Sequence, residues 1–314
     1  MLSAAPCLRA QPAGAARRRV GILAPSSAAK EQVTLAPFFE EMRKLGWVEG
    51  ANISYDRAYA DDRLDRLSHI AADLVARAPE LIYAPPATAA VAAHAATRSI
   101  PIVFGTGVNP VGMGLVASLA RPGGNVTGIS SIAGSLAPKR LQLLREVLPQ
   151  ARRIGFIGDP SDPTVRLEYA ALEALNPAMN LTLVRADAAS AADFDVAMRR
   201  LLAQPLDVVI TEGSFTYNMR ERLVELALDK RVPVVGHRSQ MADAGALFGY
   251  GASLADQLRR SALLVDKVLR GARPGELAVE QPSVFELVVN SRTARMLGIA
   301  TGQTFLLRAD RVIE

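Results

Sequence analysis

The chain of 314 residues is half hydrophobic, has only 5% aromatic residues and carries a formal net charge of +5. This length fits one large domain or two medium ones, and no apolar run is long enough for a membrane span. The single cysteine, Cys7, excludes an internal disulfide and a cysteine metal cluster. Arginines before the first predicted strand supply most of the excess charge (Arg9, Arg17, Arg18 and Arg19), which favours a solvated basic arm over nucleic-acid binding.

The first half of the chain alternates short apolar strands with amphipathic helices. Leu35, Phe38 and Met42, for example, recur at helical spacing. Strands are predicted at 20–24, 52–59, 81–84, 100–104 and 125–129, and helices at 31–45, 63–77 and 87–98. This order predicts a doubly wound parallel sheet.

The second half repeats the same alternation. Strands are predicted at 153–157, 181–185, 207–210, 232–235 and 284–289, an extended segment at 247–251, and helices at 139–148, 164–175, 191–203, 219–229, 254–269 and 291–297. The helix at 254–269 is left over once a second sheet is complete, so we expect it on the first lobe. We therefore predict an α/β protein whose chain crosses between two lobes more than once.

Polar loops follow the predicted strands in both halves, and a helix follows each loop. They are residues 25–27, 86–88, 106–109, 159–161 and 211–214. Helix N-termini offer free N–H groups to a carboxylate, although each loop taken alone is explained by ordinary N-capping. Because five such loops fall at equivalent sheet edges, we predict a ligand cleft that both lobes share.

The stretch 100–131, IPIVFGTGVNPVGMGLVASLARPGGNVTGISS, is predicted to form one wall of this cleft and the first crossing between the lobes. Ligands bind at the carboxyl ends of parallel strands in open α/β sheets. Gly105 and Gly107 allow close backbone approach to a ligand, and Thr106 and Asn109 supply polar groups.

The sequence contains no motif of an enzyme site. A dinucleotide motif begins at Gly105, but Pro110 occupies its third glycine position, and no nucleophile motif accompanies His237. The acidic pairs Asp61-Asp62 and Glu40-Glu41 are interpreted as solvated charges. We therefore predict no catalytic residue, no cofactor and no metal site.

Three segments resemble the ABC-transporter substrate-binding family that includes the TrpX-type proteins. They are the stretch 100–130, LGWVEGANISYDRAYA and QPSVFELVVNSRTARMLGI, and the resemblance extends from Arg19 to the C-terminus. It implies a type I periplasmic-binding-protein fold with two Rossmann-like lobes, parallel sheets and three hinge crossings. It also implies export to the periplasm, an ABC permease as partner, and an aromatic amino acid or related small acid as ligand.

Two positions depart from the pattern of that family. Pro85-Pro86-Ala87-Thr88 replaces a Gly-Gly-Thr-Pro-like turn, and Asn109 stands where an aspartate is common. Loss of that carboxylate favours an anionic or neutral ligand.

The expected organisation is a monomer with two lobes built from discontinuous segments. Residues 1–18 are predicted to be a signal remnant or disordered arm, 19–129 plus 253–280 the first lobe, 133–246 plus 290–314 the second, with crossings near 130–132, 247–252 and 281–289. We predict an extracytoplasmic solute-binding protein of an ABC importer. The alternatives are a ligand-sensing regulatory or chemosensory protein of the same fold and, more remotely, an enzyme. A LacI-type regulator would need an N-terminal helix-turn-helix, for which the residues before Val20 are too few.

The ligand carboxylate is expected on the first-lobe loops, where helix N-termini bind it without a dedicated arginine. Glu212 or Asp159 would bind an α-ammonium. Phe215 or Tyr250 would flank a ring, although both aromatic residues are equally well explained by packing in the core. The predicted ligand-binding residues are Ser26, Ser27, Ala87, Thr88, Thr106, Val108, Asn109, Ser130, Ser131, Asp159, Ser161, Glu212, Ser214, Phe215, Arg238 and Tyr250.

Overall fold

The computed structural model describes residues 17–131 and 136–314. Most of the predicted arm at 1–18 and part of the predicted crossing at 130–132 lie outside this range. Within it, none of the helices has the length and apolar character needed to cross a bilayer.

The first lobe is a five-stranded parallel sheet in the order β2-β1-β3-β4-β5. Its strands are β1 Arg18–Ala24, β2 Ile53–Tyr59, β3 Leu81–Tyr83, β4 Ile102–Val108 and β5 Val126–Ser131. Its helices are α1 Ala28–Thr34, α2 Ala36–Lys44, α3 Leu67–Ala76 and α4 Ala87–Ala96. Consecutive residues such as Ile22 and Leu23 belong to separate core clusters on the two faces, because side chains alternate along a strand. The sheet is therefore buried on both sides, as parallel sheets require.

The second lobe is a seven-stranded sheet in the order β12-β11-β10-β9-β8-β6-β7. Its strands are β6 Arg153–Gly158, β7 Thr182–Asp187, β8 Val208–Thr211, β9 Val234–Gly236, β10 Phe248–Ala252, β11 Phe285–Asn290 and β12 Arg311–Ile313. Only β10 and β11 pair antiparallel among the strands described. Its helices are α5 Ala137–Val147, α6 Pro163–Met179, α7 Ala191–Leu202, α8 Ser214–Asn218, α9 Arg220–Asp229, α10 Gln240–Asp243, α12 Ser291–Leu297 and α13 Gln303–Leu306. The two mostly parallel sheets with flanking helices confirm the predicted α/β fold of two lobes.

The late helix α11, Leu254–Leu269, packs on the first lobe. It contacts α2 and the strands β3, β4 and β5. The chain therefore leaves the second sheet after Ala252 and returns to it at Phe285.

The connecting segments lie side by side. Ser130 N donates to Glu280 O at 2.7 Å, and Ser253 N donates to Val284 O at 2.9 Å. The segments predicted as the second and third crossings, 247–252 and 281–289, include β10 and β11, which are paired strands of the second sheet. The limits of the two lobes stay a prediction.

The prediction of one continuous helix at 31–45 is wrong. α1 and α2 are separate helices that meet at Leu35. Pro37 lies in the first turn of α2, where its missing N–H is tolerated; inside a continuous helix it would remove a hydrogen bond.

Candidate functional site

The loops at the carboxyl ends of the two sheets face each other and enclose two adjoining cavities, which we call the cleft. One cavity is lined by Ala87, Thr88 and Thr106 of the first lobe and by Asp162, Thr164, Glu212, Gly213, Ser214, His237 and Arg238 of the second. The other shares Thr106, Ser214 and Arg238 and adds Pro25, Glu31, Thr34, Pro85, Pro86, Tyr217, Asn218, Leu254 and Leu258. Both lobes contribute to each cavity, so hinge motion would open and close the cleft.

Two larger cavities lie on the first lobe, away from the cleft. One is bordered by Arg98 and Arg273 at the amino ends of the strands, and the other by Trp47 and Tyr55 beside β2. Neither has a lining residue from the second sheet, so neither would enclose a ligand on closure.

Arg238 reaches the cleft because glycines let two backbone segments approach closely. β9 ends at Gly236, and the next two residues cross β10. A Cβ on Gly249 would lie 2.0 Å from the Arg238 carbonyl oxygen, and one on Gly251 would lie 2.0 Å from the His237 carbonyl oxygen. Only glycine permits such close contact, so Gly249 and Gly251 allow the backbone of Arg238 to take this position.

The Arg238 guanidinium is a partly buried cation without an acidic partner in the part of the chain that the structure describes. Its guanidinium carbon lies 5.8 Å from the centroid of the Tyr217 ring. Burial lowers the pKa of Arg238 from its ordinary value, although an arginine stays protonated at neutral pH. An anion entering the cleft would therefore meet a positive charge that is not held in an ion pair, although the Glu212 carboxylate lies close enough to favour the charged form of Arg238.

A second arginine, Arg140, is fully engaged by buried carboxylates. Its Nη1 lies 2.5 Å from Glu168 Oε1 and 2.9 Å from Glu212 Oε2, and its Nε donates to the Tyr250 carbonyl at 3.0 Å. The three charged side chains are at most 4% exposed. This network ties α5, α6, β10 and the end of β8 together beneath the cleft.

The other Glu212 oxygen lies beside a neutral histidine. Glu212 Oε1 accepts a hydrogen bond from Gly213 N at 3.1 Å and lies 3.9 Å from His237 Nε2. Burial, with the positive charges of Arg238 and Arg140 nearby, holds the pKa of His237 well below its ordinary value. His237 is therefore uncharged at neutral pH.

This shift predicts how stability depends on pH. The unfolded chain protonates His237 near its ordinary pKa of about 6.5, whereas the folded protein keeps it neutral to lower pH. The folded state then binds fewer protons, so the free energy of unfolding falls as the pH decreases below about 6.5. Urea unfolding of His237→Asn should show a weaker fall. His69→Asn, at a side chain 82% exposed, should match the wild type. If the free energy of unfolding of H237N fell as steeply as that of the wild type, this assignment would be contradicted.

The predicted ligand-binding residues do not include two acids of the cleft, Asp162 and Glu31. Asp162 caps α6 and accepts a hydrogen bond from Thr164 N at 2.8 Å, and burial raises its pKa. The Asp-Pro pair at 162–163 is a helix-start signal that was available in the sequence. Glu31 lines the cleft from α1, where periodicity alone placed it in an ordinary amphipathic helix.

Comparison with known proteins identifies the family. Residues 19–313 match the family model of ABC transporter substrate binding proteins. The chain belongs to this family.

Individual proteins that are similar to this chain are consistent with this family. A tyrosine-binding protein of Clostridioides difficile (strain R20291) is 25% identical over 260 residues, which are 83% of this chain and 75% of the relative. A conserved domain protein of Vibrio cholerae is 26% identical with a TM-score of 0.88, covering 95% of this chain and 100% of that one. An ABC domain of Streptococcus pneumoniae in complex with L-Trp is 20% identical with a TM-score of 0.87, over 95% and 100% of the chains. The predicted type I periplasmic-binding-protein fold is confirmed.

Six of the predicted ligand-binding residues line the cleft of this substrate-binding protein. They are Ala87, Thr88, Thr106, Glu212, Ser214 and Arg238. The Thr88 hydroxyl is buried and has no hydrogen-bond partner within the described ranges, which leaves it free for a ligand.

Other predicted residues do not line the cleft and have structural roles of their own. Ser26 is buried and donates its hydroxyl to Glu31, and Ser27 is the N-cap residue of α1. Asp159 Oδ1 accepts hydrogen bonds from the Ser161 amide at 2.8 Å and hydroxyl at 2.7 Å. Ser130 belongs to the hydrogen-bonded crossings.

The remaining predicted residues are placed elsewhere or lie outside the description. Phe215 packs edge-on against Phe194 in the second-lobe core, with ring centroids 5.9 Å apart. Tyr250 stacks on Phe285 at 6.5 Å. Asn109 is exposed and accepts a hydrogen bond from Gly112 N at 3.0 Å. The side chains of Val108 and Ser131 lie outside the described residues.

Direct polar contacts join the two lobes at the edge of the cleft. Asn218 Nδ2 of the second lobe donates to Asp62 Oδ1 of the first at 3.0 Å. Lys30 Nζ, which lies 2.8 Å from Asp62 Oδ2, also lies 3.5 Å from the Asn218 carbonyl oxygen. These contacts can form only while the lobes are close together.

Loss of this contact is expected to shift the lobes toward an open arrangement. A hydrogen bond of this kind contributes about 0.5–1.5 kcal/mol, so Asn218→Ala should weaken ligand binding by about 3- to 10-fold. Small-angle scattering should show a larger radius of gyration for ligand-free Asn218→Ala than for Asn176→Ala, which removes a contact to Leu181 within one lobe. Identical scattering curves would contradict a role in closure.

Proposed function

We propose that this protein is the extracytoplasmic solute-binding subunit of an ABC importer and that it binds an aromatic amino acid or related aromatic acid in the cleft. The observation that carries the proposal is the unpaired Arg238 guanidinium in a cavity that both lobes line. Family members bind solutes and deliver them to permeases, and ABC importers place such proteins outside the cytoplasm. We further propose that this one acts in the periplasm as a monomer.

The ligand carboxylate is proposed to bind to Arg238, whose planar guanidinium suits two parallel hydrogen bonds to a carboxylate. The Thr88 hydroxyl and the N-terminus of α4 lie on the opposite wall and add donors. This proposal replaces the expectation that the first-lobe loops bind the carboxylate without a dedicated arginine.

The ring of the ligand is proposed to lie against Tyr217. Tyr217 lines the cleft and is only partly buried. Phe215 and Tyr250 pack against other aromatic rings instead. Support for an aromatic amino acid comes from the relatives, one a tyrosine-binding protein and one solved with L-Trp.

A thermal-shift screen tests the ligand class. Because a ligand that binds only the folded state at 100 times its Kd adds about 2.7 kcal/mol of stability, the unfolding midpoint rises by several degrees. We expect such a rise with L-tyrosine or L-tryptophan and none with neutral sugars. A rise with sugars alone would contradict the proposal.

A further inference from the structure

Glu31 is a buried acid that faces the cleft without a basic partner. It lies in α1, is 6% exposed, and lines the same cavity as Tyr217 and Arg238. Its carboxylate accepts a hydrogen bond from the Ser26 hydroxyl. Glu31 makes no ion pair in residues 17–131 and 136–314, and the adjacent Lys30 pairs with Asp62 instead.

This arrangement is unfavourable in the absence of a ligand. A buried carboxylate without a cation loses its hydration and receives little in return. Burial accordingly raises the pKa of Glu31, and the nearby Asp62 carboxylate adds to the increase. A neutral glutamine of the same shape would occupy the position at lower cost, so packing alone does not explain an acid here.

The other acids that line the cleft have structural roles. Glu212 binds Arg140 at 2.9 Å and accepts from Gly213 N. Asp162 caps α6 through Thr164 N. Among the described lining residues, Glu31 and Asp162 are the acids that make no ion pair, but Asp162 caps a helix, and Arg238 is the cation that makes no ion pair.

These two unpaired charges come from opposite walls of one cavity. Glu31 belongs to the first lobe and Arg238 follows β9 of the second, and no ion pair joins them. A molecule with one positive and one negative group would neutralise both charges. Its binding would also link the lobes and favour closure.

We propose that Glu31 binds the α-ammonium of the ligand while Arg238 binds its carboxylate, so that a zwitterionic amino acid bridges the two lobes. The inference rests on the proposed function and moves the ammonium from the second lobe, where the sequence predicted it, to the first. It makes Glu31 the residue that selects amino acids over acids without an amino group. Glu212, the sequence-based choice, is assigned to the Arg140 network instead.

Three related ligands test the assignment by calorimetry. They are L-tyrosine, 3-(4-hydroxyphenyl)propanoate, which lacks the ammonium, and tyramine, which lacks the carboxylate. Glu31→Gln should weaken tyrosine binding by about 100-fold and abolish tyramine binding. The affinity for the propanoate should stay within about 3-fold of the wild-type value. Glu40→Gln, at an exposed carboxylate on α2, is the matched control and should leave all three affinities unchanged.

The ligand-free protein gives a second readout. Glu31→Gln removes an unpaired buried charge, so its unfolding midpoint at neutral pH should exceed that of the wild type. A purely structural acid would lower the midpoint when replaced. Higher stability together with weaker tyrosine binding would support the inference.

The outcomes separate this inference from the proposed function. If the wild type binds tyrosine and Glu31→Gln binds it equally well, the inference about Glu31 is overturned while the proposed function stands. Equal weakening of all three ligands, or a lower midpoint without ligand, would also overturn it. A wild-type protein that binds neither tyrosine nor tryptophan would overturn the proposed ligand class and this inference with it.

Discussion

Replacing Arg238 with glutamine is expected to weaken the binding of an aromatic amino acid by about 100-fold. The reason is the loss of charge-assisted hydrogen bonds to the ligand carboxylate, each of which contributes about 1.5–3 kcal/mol in a desolvated site. Arg238 has no acidic partner among the described residues, so its removal leaves no buried carboxylate of the protein unpaired. The stability of the ligand-free variant should therefore match or exceed that of the wild type. Calorimetry and urea unfolding measure the two quantities.

Arg220 provides a matched control for this substitution. Its guanidinium also lies over the Tyr217 ring, at 4.7 Å, but it pairs with Glu221 at 2.7 Å. Arg220→Gln should therefore change the affinity by less than about 3-fold, because a surface ion pair of this kind contributes little. Equal affinity losses in the two variants would show that contact with Tyr217, and not the free charge of Arg238, matters for binding.

Replacing Arg140 with methionine is expected to reduce the free energy of unfolding by about 3–5 kcal/mol, the usual effect of removing one partner of a buried ion pair. The substitution leaves Glu168 and Glu212 buried, without the cation that now lies 2.5 and 2.9 Å from them. The Tyr250 carbonyl also loses its hydrogen bond. Urea unfolding followed by circular dichroism measures the change.

A surface pair gives the comparison for Arg140. Arg185 lies 2.7 Å from Asp187, and both side chains are at least 31% exposed. Arg185→Met should therefore cost no more than about 1 kcal/mol. If Arg140→Met were equally mild, the buried network would not be a major source of stability in the second lobe.

The fold was predictable because its signals are local. Alternating apolar strands and helical spacing indicate the two sheets, and the leftover helix at 254–269 indicates a return to the first lobe. β10 was harder to assign, since Phe248–Ala252 contains two glycines that weaken a strand pattern. Gly249 and Gly251 are required because the backbone of His237 and Arg238 passes too close to them for any side chain. This contact cannot be recognised from the local sequence pattern.

The site was only partly predictable, because which charges pair depends on contacts distant in sequence. Glu212 stood out as a polar residue after a strand, yet Arg140, 72 residues earlier, engages it. Arg238 was one of several polar candidates until the structure left it without an acid. Glu31 gave no signal at all, since an acid in an amphipathic helix normally faces water. Loop positions were predictable, whereas the unpaired charges that mark the cleft were not.

A crystal structure of the protein with bound L-tyrosine would show which residues contact the two charged groups of the ligand. We expect one tyrosine between the lobes, with its carboxylate about 2.7–2.9 Å from the Arg238 guanidinium and its ammonium at a similar distance from Glu31. A tyrosine whose ammonium contacts Glu212 while its carboxylate lies on the first-lobe loops would contradict the assignment. A ligand bound instead at an outer cavity near Arg98 or Trp47 would contradict the cleft itself.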